Sequence, residues 1–366
     1  MKAEARAPRG AVKLAGINIT SWDSVEVDNN VHRSADTFRV VLIADALPKK
    51  RNVSWLASQT TIEVEVYMTE TPRNPEGYAP QSGDLLLTGR VDELDYDPAA
   101  NTVELSGRDL TALLIDTKTS EHFANQTASQ IAQTLAGRHG LTPVVVPTKI
   151  KAGEYYQIDH ADVTQEQSEW ELLTRLAAAE DYTVYVRGHE LHFEPSNTTA
   201  GDYPIVWTPP TATQSKQADL NSLKFTRDLT IVKGVSVEVR SWNAKQKKSF
   251  TQSWPKAPKA VKPGGSESPQ VYRYTIAGLT PDQAQKRAQN LYAQIAAHMV
   301  KLEAELPGDA LLNCNKTVTV QGTGTTFDQV YYPDSVKRSL SVSEGYRMTF
   351  SAKNQSDSVE AGKAND

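Results

Sequence analysis

The sequence predicts a mainly β protein with α+β elements, in which two β-rich outer regions flank a small α/β domain. Three observations lead there. Apolar residues recur at every second position through most of residues 12–116 and again after 298; helical spacing with capping signals is confined to three windows; and Gly, Pro, Asn and Asp gather between the alternating runs. A chain of 366 residues, 39% apolar, is long for one core and fits about two to four domains.

The first region covers residues 1–116. Phe38, Val40 and Leu42 alternate with Arg39 and Val41; Ile62, Val64, Val66 and Met68 alternate with Glu63, Glu65 and Tyr67; Val103 and Leu105 alternate with Glu104 and Ser106. Such runs are strands with one wet face. Turn chemistry is expected at Asp28-Asn29-Asn30, from Pro80 to Asp84 and from Asp97 to Asn101. Antiparallel strands at this spacing suggest a sandwich or barrel, with Pro72 to Gly83 as its longest surface loop.

The second region, residues 117–205, reads as the small α/β domain. Thr127 and Gln130 have capping-box spacing, Ile131 and Leu135 lie four apart, and Gly137 or Gly140 can end that helix. A short strand at Val144 to Val146 and an irregular connector from Lys149 to Val163 follow. Ser168 with Glu171 gives a second capping box; Trp170, Leu173 and Ala177 share one helix face with Leu172, Leu176 and Ala179 beside it. Thr183 to Val186 then turns through Arg187-Gly188 into a strand where Leu191 and Phe193 alternate with His192 and Glu194.

Thr208-Pro209-Pro210 opens the third region, residues 206–353, where strands resume at Val235 to Val239, Phe250 to Trp254 and Tyr272 to Ile276. Thr280 as N-cap and Pro281 at the first helical position announce the longest helix, with Ala284, Ala288, Leu291 and Ile295 on one face. After His298 the period returns to two, with Val300, Leu302, Ala304 and Leu306 inward and Lys301, Glu303 and Glu305 outward. Strands at Thr317 to Val320, Tyr331 to Val342 and Tyr346 to Ala352 finish the region, the last two joined through Ser343-Glu344-Gly345. The polar tail, 354–366, is expected to be disordered. Similar content suggests that the two β regions are structural duplicates.

Composition excludes several function classes. No run approaches the ~18 apolar residues of a membrane span, and the first ten residues lack a secretory hydrophobic segment, so the chain is expected to fold in the cytoplasm without inserting into membrane. The single Cys314 rules out an intrachain disulfide and a cysteine-clustered zinc site, and no adjacent cation or base marks it as a nucleophile. A net charge of −5 argues against a generally basic, nucleic-acid-coating surface.

Candidate motifs each fail on spacing. His189 and His192 are three apart on a strand, whereas a zinc-protease pair lies four apart on a helix. Gln321 to Thr325 follows a strand like a phosphate loop, yet neither lysine nor helix comes next; a β-turn explains it. Gly264-Gly265-Ser266 lacks the strand-to-helix transition of a nucleophile elbow. Asp92 and Glu93 offer the paired carboxylates of a glycosidase without a cleft signature. Lys245, Lys247, Lys248, Lys256, Lys259 and Lys262, with Trp242, Phe250 and Trp254 nearby, are a basic-aromatic mixture that can touch nucleic acid, and equally the solvated tip of a hairpin. No catalytic, cofactor-binding or metal-binding residue is expected, and no cofactor; binding residues stay unassigned.

The order of several short motifs resembles a known family. Gly83-Asp84-Leu85-Leu86-Leu87-Thr88-Gly89-Arg90-Val91-Asp92 is followed by Val103-Glu104-Leu105-Ser106-Gly107-Arg108-Asp109 and the exit Leu113-Leu114-Ile115-Asp116. Thr127 to Ala132, Glu169 to Ala177 before Tyr182 to Val186, and the closing pair Ser335 to Ser341 and Gly345 to Phe350 continue the match nearly end to end. Together they resemble the baseplate-hub proteins of contractile-tailed phages, a family that includes late control protein D-like and Mu-type tail hubs and is related to the hub part of type VI secretion spike proteins. The resemblance implies two tube-like β-barrel domains flanking the α/β domain. It further implies a homotrimer whose six barrels form a ring joining the tail tube to a central spike protein, with DNA passing transiently through the lumen. The expected place is the tail baseplate of a virion, assembled in the host cytoplasm, and the expected role is structural rather than enzymatic. Nothing after residue 352 resembles a β-helical needle, so the spike would be a separate polypeptide. The alternatives are a tail-associated cell-wall hydrolase, or a carbohydrate- or receptor-binding module stacking on Trp22, Trp55 or Trp242.

Overall fold

The computed structural model describes residues 7–31, 34–70, 78–121, 123, 126–149, 167–180, 182–195, 202–208, 220–229, 235–243, 248–255, 270–276, 279, 281–296 and 299–354. The first region supplies β1 (Arg9–Leu14), β2 (Ile17–Ile19), β3 (Trp22–Asn30), β4 (Thr37–Ile43), β5 (Glu63–Thr69), β6 (Leu85–Asp97) and β7 (Thr102–Asp109), with α1 (Val53–Ser58) between β4 and β5. After α2 (Ala112–Asp116) come β8 (Lys118–Thr119), α3 (Ala128–Arg138), β9 (Thr142–Val145), β10 (Gln167–Ser168), α4 (Glu169–Glu180), β11 (Tyr182–Arg187) and β12 (Glu190–Pro195). The remainder is β13 (Asp202–Val206), β14 (Ser222–Arg227), β15 (Val235–Asn243), β16 (Lys248–Trp254), β17 (Gln270–Thr275), α5 (Pro281–Ala296), β18 (Val300–Pro307), β19 (Thr317–Gln321), β20 (Val330–Ser341) and β21 (Gly345–Lys353). The protein is mainly β, with several sheets.

Alternation builds the strands as expected. Val64, Val66 and Met68 on β5, and Leu302, Ala304 and Leu306 on β18, are buried, while Lys301 and Glu303 are exposed. Each fully buried aliphatic side chain contributes about 1.5–3 kcal/mol, so one inward stripe per strand is enough to fix register. Both capping boxes form: Gln130 N donates to Thr127 Oγ1, and Glu171 N donates to Ser168 Oγ at 3.1 Å while Ser168 N donates to Glu171 Oε2 at 2.9 Å. Trp170, Leu172, Leu173, Leu176 and Ala177 of α4 pack with α3 and the sheet β11-β12-β9 in a core of their own.

The outer β regions share one 13-stranded sheet, in the order β14-β18-β21-β20-β3-β4-β7-β6-β5-β1-β2, with β13 and β19 attached through β20. The long β20 serves both regions. Its start, Val330 and Tyr331, pairs with β19; past an irregularity between Pro333 and Ser335, Ser335–Ser341 pairs antiparallel with Asn30–Ser24 of β3. One unit is thus β3-β4-β7-β6-β5-β1-β2 and the other β14-β18-β21-β20-β19-β13, each around its own core. Leu340 and Tyr346, from the end of the chain, belong to the core of the first unit.

Several details differ from the sequence expectation. Asp28-Asn29-Asn30 is not a turn but the end of β3, because pairing with β20 overrides its turn composition. Residues 202–205, expected in the α/β domain, belong with Val206 to β13 beside β19 of the second β unit. The strands β15, β16 and β17, expected within the second barrel, form a separate β16-β15-β17 sheet covered by α5, with Val235, Val237, Val239, Ala284 and Ala288 buried between them. Residues 72–77 of the expected long loop, residues 150–163 of the expected connector, Pro209 and Pro210, the Thr280 cap, the Ala179 side chain and tail residues 355–366 lie outside the described residues.

Candidate functional site at the seam of the two β units

Where β20 crosses between units, the inward positions change from apolar to polar. On β3, Val25 and Val27 are followed by Asn29; Asp36 precedes Phe38 and Val40; on β7, Leu105 and Gly107 are followed by Asp109; on β20, Arg338 stands between Val336 and Leu340. Asp109 N donates to the Asp36 carbonyl at 2.8 Å, which sets the two carboxylates on neighbouring strands, and Asp109 lies opposite Gly89 of β6. Gly89 and Gly107 allow β6 and β7 to cross closely, since a Cβ on either would collide with a carbonyl of the other strand, Arg108 or Arg90.

Arg338, 1% exposed, clasps the seam. Its Nε donates to the Asp309 carbonyl at 2.8 Å, one terminal nitrogen to Asn29 Oδ1 at 2.9 Å and the other to the Leu312 carbonyl. The Asp309 carboxylate accepts from Leu311 N and Leu312 N at 2.9 and 3.1 Å and from the Tyr203 hydroxyl, and its carbonyl accepts from the Tyr346 hydroxyl at 2.9 Å. The loop after β18 is thereby tied to β3, β13, β20 and β21.

Asp36 accepts from Asn29 Nδ2 and Asn30 N, both at 2.7 Å. Asp109 Oδ2 accepts from the Thr111 hydroxyl at 2.8 Å, but its buried Oδ1 has no hydrogen-bond partner. Burial pushes the Asp36 carboxyl up to about 6, against the pull of the Asn29 and Asn30 donors. Burial pushes Asp109 up to about 8, and the Asp36 charge adds to the shift. The Cys314 thiol, 3.5 Å from the Asn29 carbonyl, is likewise pushed up by burial. Asp36, Asp109, Arg338 and Cys314 line a cavity of about 150 Å3 together with Trp170 and Tyr185 of the α/β domain, so all three regions meet there.

The sheet face opposite the cores is charged and internally paired. Arg39 grips Glu104 through two hydrogen bonds and lies 3.9 Å from Glu26, which Lys337 meets at 2.8 Å. Lys224 meets Glu303 at 3.2 Å, and Arg347 meets Glu305 at 3.9 Å.

The candidate motifs do not converge on the seam. His189 sits in the β11–β12 turn, 3.5 Å from Glu63, while His192 stacks on Tyr185 with ring centroids 4.6 Å apart. In the Gly322 to Thr325 loop, Thr323 N and Gly324 N donate to the Asp328 carboxylate at 3.0 Å, so backbone donors that a phosphate would need are occupied. Asp92 pairs with Arg108, and Glu93 is exposed. Trp22 packs against the first core, Arg51 covers the Trp55 ring at 4.1 Å, and Trp242 is 51% exposed. Lys245, Lys247, Lys256, Lys259, Lys262, the Lys248 side chain and Gly264 to Ser266 lie outside the described residues. Asp36, Asp109 and Arg338 were not among the candidates, although the period of two places all three inward.

A profile of the phage tail baseplate hub family matches residues 38–342. Among solved structures, the chain is similar to a tail protein from Neisseria meningitidis, at 14% identity over 94% of this chain and 96% of that one, with a TM-score of 0.67. A 43 kDa tail protein of prophage MuSo2 from Shewanella oneidensis gives 18% identity, coverage of 94% and 95%, and a TM-score of 0.62. A component of the type VI secretion system from E. coli gives 11% identity, coverage of 94% and 77%, and a TM-score of 0.52. A comparison with curated protein sequences gives no match.

Proposed function

Because the chain belongs to the phage tail baseplate hub family, we propose that it is the non-enzymatic hub subunit of a contractile phage or phage-like tail. In this reading three copies form a ring that joins the tail tube to a separate spike protein, and DNA passes through the lumen during ejection. The subunit is assembled in the host cytoplasm and resides in the tail baseplate.

The observation that carries the reading is the pairing of two six- to seven-stranded β units through the shared β20. Two comparable units held rigidly in one chain let a threefold assembly present six, which matches a threefold spike to a sixfold tube; closed cyclic symmetry then needs only one repeated heterologous surface. The units are read as the two tube-like barrels. The charge-paired sheet face supports the DNA path, because cations already neutralised by Glu26, Glu104 and Glu303 offer phosphates little hold.

Light scattering after size-exclusion chromatography, with and without the cognate spike protein, tests this. The expected mass is three times the 40.2 kDa chain for the subunit alone, or that mass plus the spike's when spike is added. A strict monomer under both conditions overturns the ring, and release of soluble sugars from peptidoglycan by the pure chain overturns the non-enzymatic role.

A further inference from the structure

Asp36 and Asp109 face inward from neighbouring strands, where like charges opposite one another destabilise the sheet. Asp109 is 6% exposed, and its Oδ1 reaches the cavity without a donor. The three hydrogen bonds that Arg338 donates go to the Asp309 and Leu312 carbonyls and to Asn29 Oδ1, not to either carboxylate. The other titratable groups facing the pair are Cys314 from the second unit, Asp28 on β3 and the exposed Arg187 at the mouth. The lining holds Asp36, Asp109, Arg187 and Arg338, but Arg187 is exposed and Arg338 bonds carbonyl oxygens, so among the described residues neither carboxylate has an ion-pair partner.

We propose that the seam cavity holds one small hard cation of the alkali-metal class, between Asp109 Oδ1 and Asp36. The lining supports this choice: beside the carboxylates stand the hydroxyls of Thr88 and Thr111, all oxygen donors, which hard cations prefer. A volume of about 150 Å3 exceeds the ~30 Å3 share of one water several-fold, leaving room for an ion with part of its hydration shell. Among the described residues no set of three His, Cys, Asp or Glu is placed to hold a metal ion, so a many-carboxylate divalent cage is not built, whereas the buried Asp109 Oδ1 lacks a single partner. The ion would bridge β4 and β7 beside the crossing of β20, neutralising the pair without consuming a proton.

A proton on either carboxylate supplies the same charge, so the two compete, and the cation response must grow as pH rises. The thermal midpoint of the full chain is measured in sodium, potassium and choline chloride at equal ionic strength, at about pH 6 and about pH 9. Sodium or potassium is expected to raise the midpoint over choline by about 2–4 °C at the higher pH and by far less at the lower. Asp109→Asn is expected to abolish the difference. As a second readout that needs no variant, the single thiol, Cys314, lines the same cavity, and its labelling by a thiol reagent should be slower in the binding salt than in choline. Equal midpoints and equal labelling rates in all three salts overturn the proposal and leave a proton as the balancing charge; a salt response that persists in Asp109→Asn also overturns it, by placing the ion elsewhere.

Discussion

The α/β domain and the seam both bury carboxylates, and they resolve the cost differently. In the α/β domain Glu169, fully buried at the start of α4, meets Arg138 on one oxygen and His139 on the other at 2.5 Å, and Arg138 continues to Glu121 at 2.6 Å. Its partners come from the end of α3, Arg138 and the capping His139, and α4 packs against α3 anyway. At the seam, Asp36 and Asp109 have hydroxyl, amide and backbone donors, and the one buried cation nearby is spent on carbonyls. A centre within one domain can be completed by local partners, whereas the seam gathers strands from opposite ends of the chain and devotes its guanidinium to holding a loop. Glu169 reads as a finished structural ion pair, Asp36–Asp109 as an unfinished one.

Arg338→Ala should do the most damage. It removes three hydrogen bonds at once and leaves the Leu312 carbonyl and Asn29 Oδ1 without this donor, while Tyr346 still serves the Asp309 carbonyl; at about 1–3 kcal/mol per unmet acceptor, a total of about 4 kcal/mol should appear as a lower urea midpoint. Glu169→Ala should cost about 3 kcal/mol in the same measurement, at the low end for a broken buried pair because Arg138 is 36% exposed and can return to water. If the two losses were reversed, the α/β domain rather than the seam would be the more tightly coupled centre.

The pH response separates the two centres next. Asp36 and Asp109 both titrate higher in the folded chain than the usual carboxylate value of 3.8. The unfolded chain gives up those protons first, so the contribution of these two groups to stability is fully present below about 3.8 and is lost as pH rises, up to about 6 for Asp36 and about 8 for Asp109. In choline chloride, Asp109→Asn should flatten the upper part of that decline and raise stability above it by about 1 kcal/mol, read from urea midpoints across pH. The helix caps give the smallest effect: Ser168→Ala and Thr127→Ala should each cost about 1 kcal/mol by thermal melting, without altering the seam.

Local physics was legible in the sequence, and long-range pairing was not. Both capping boxes, the β11–β12 hairpin and the inward stripe of β18 follow from neighbours within a few residues. The pairing of β3 with β20 joins positions about 310 apart, and nothing near Asp28-Asn29-Asn30 signals it, so composition there points to a turn. The same limit hides β13, whose partner β19 lies more than a hundred residues away, and the separate layer formed by β15, β16, β17 and α5. The seam residues were partly within reach. Extending the Phe38 and Val336 alternations by one step, and that of Leu105 by two, places Asp36, Arg338 and Asp109 on inward faces, and an inward charged residue is the informative exception in such a pattern.

Hydrogen exchange on the Arg338→Ala chain tests most directly whether β20 and its clasp make the two β units one body. Exchange in residues 24–30, 308–316 and 335–341 should rise together, while α4 and the 235–296 layer stay as in the unaltered chain. A rise confined to 308–316 would contradict the account, because Arg338 would then be holding a loop and not the seam.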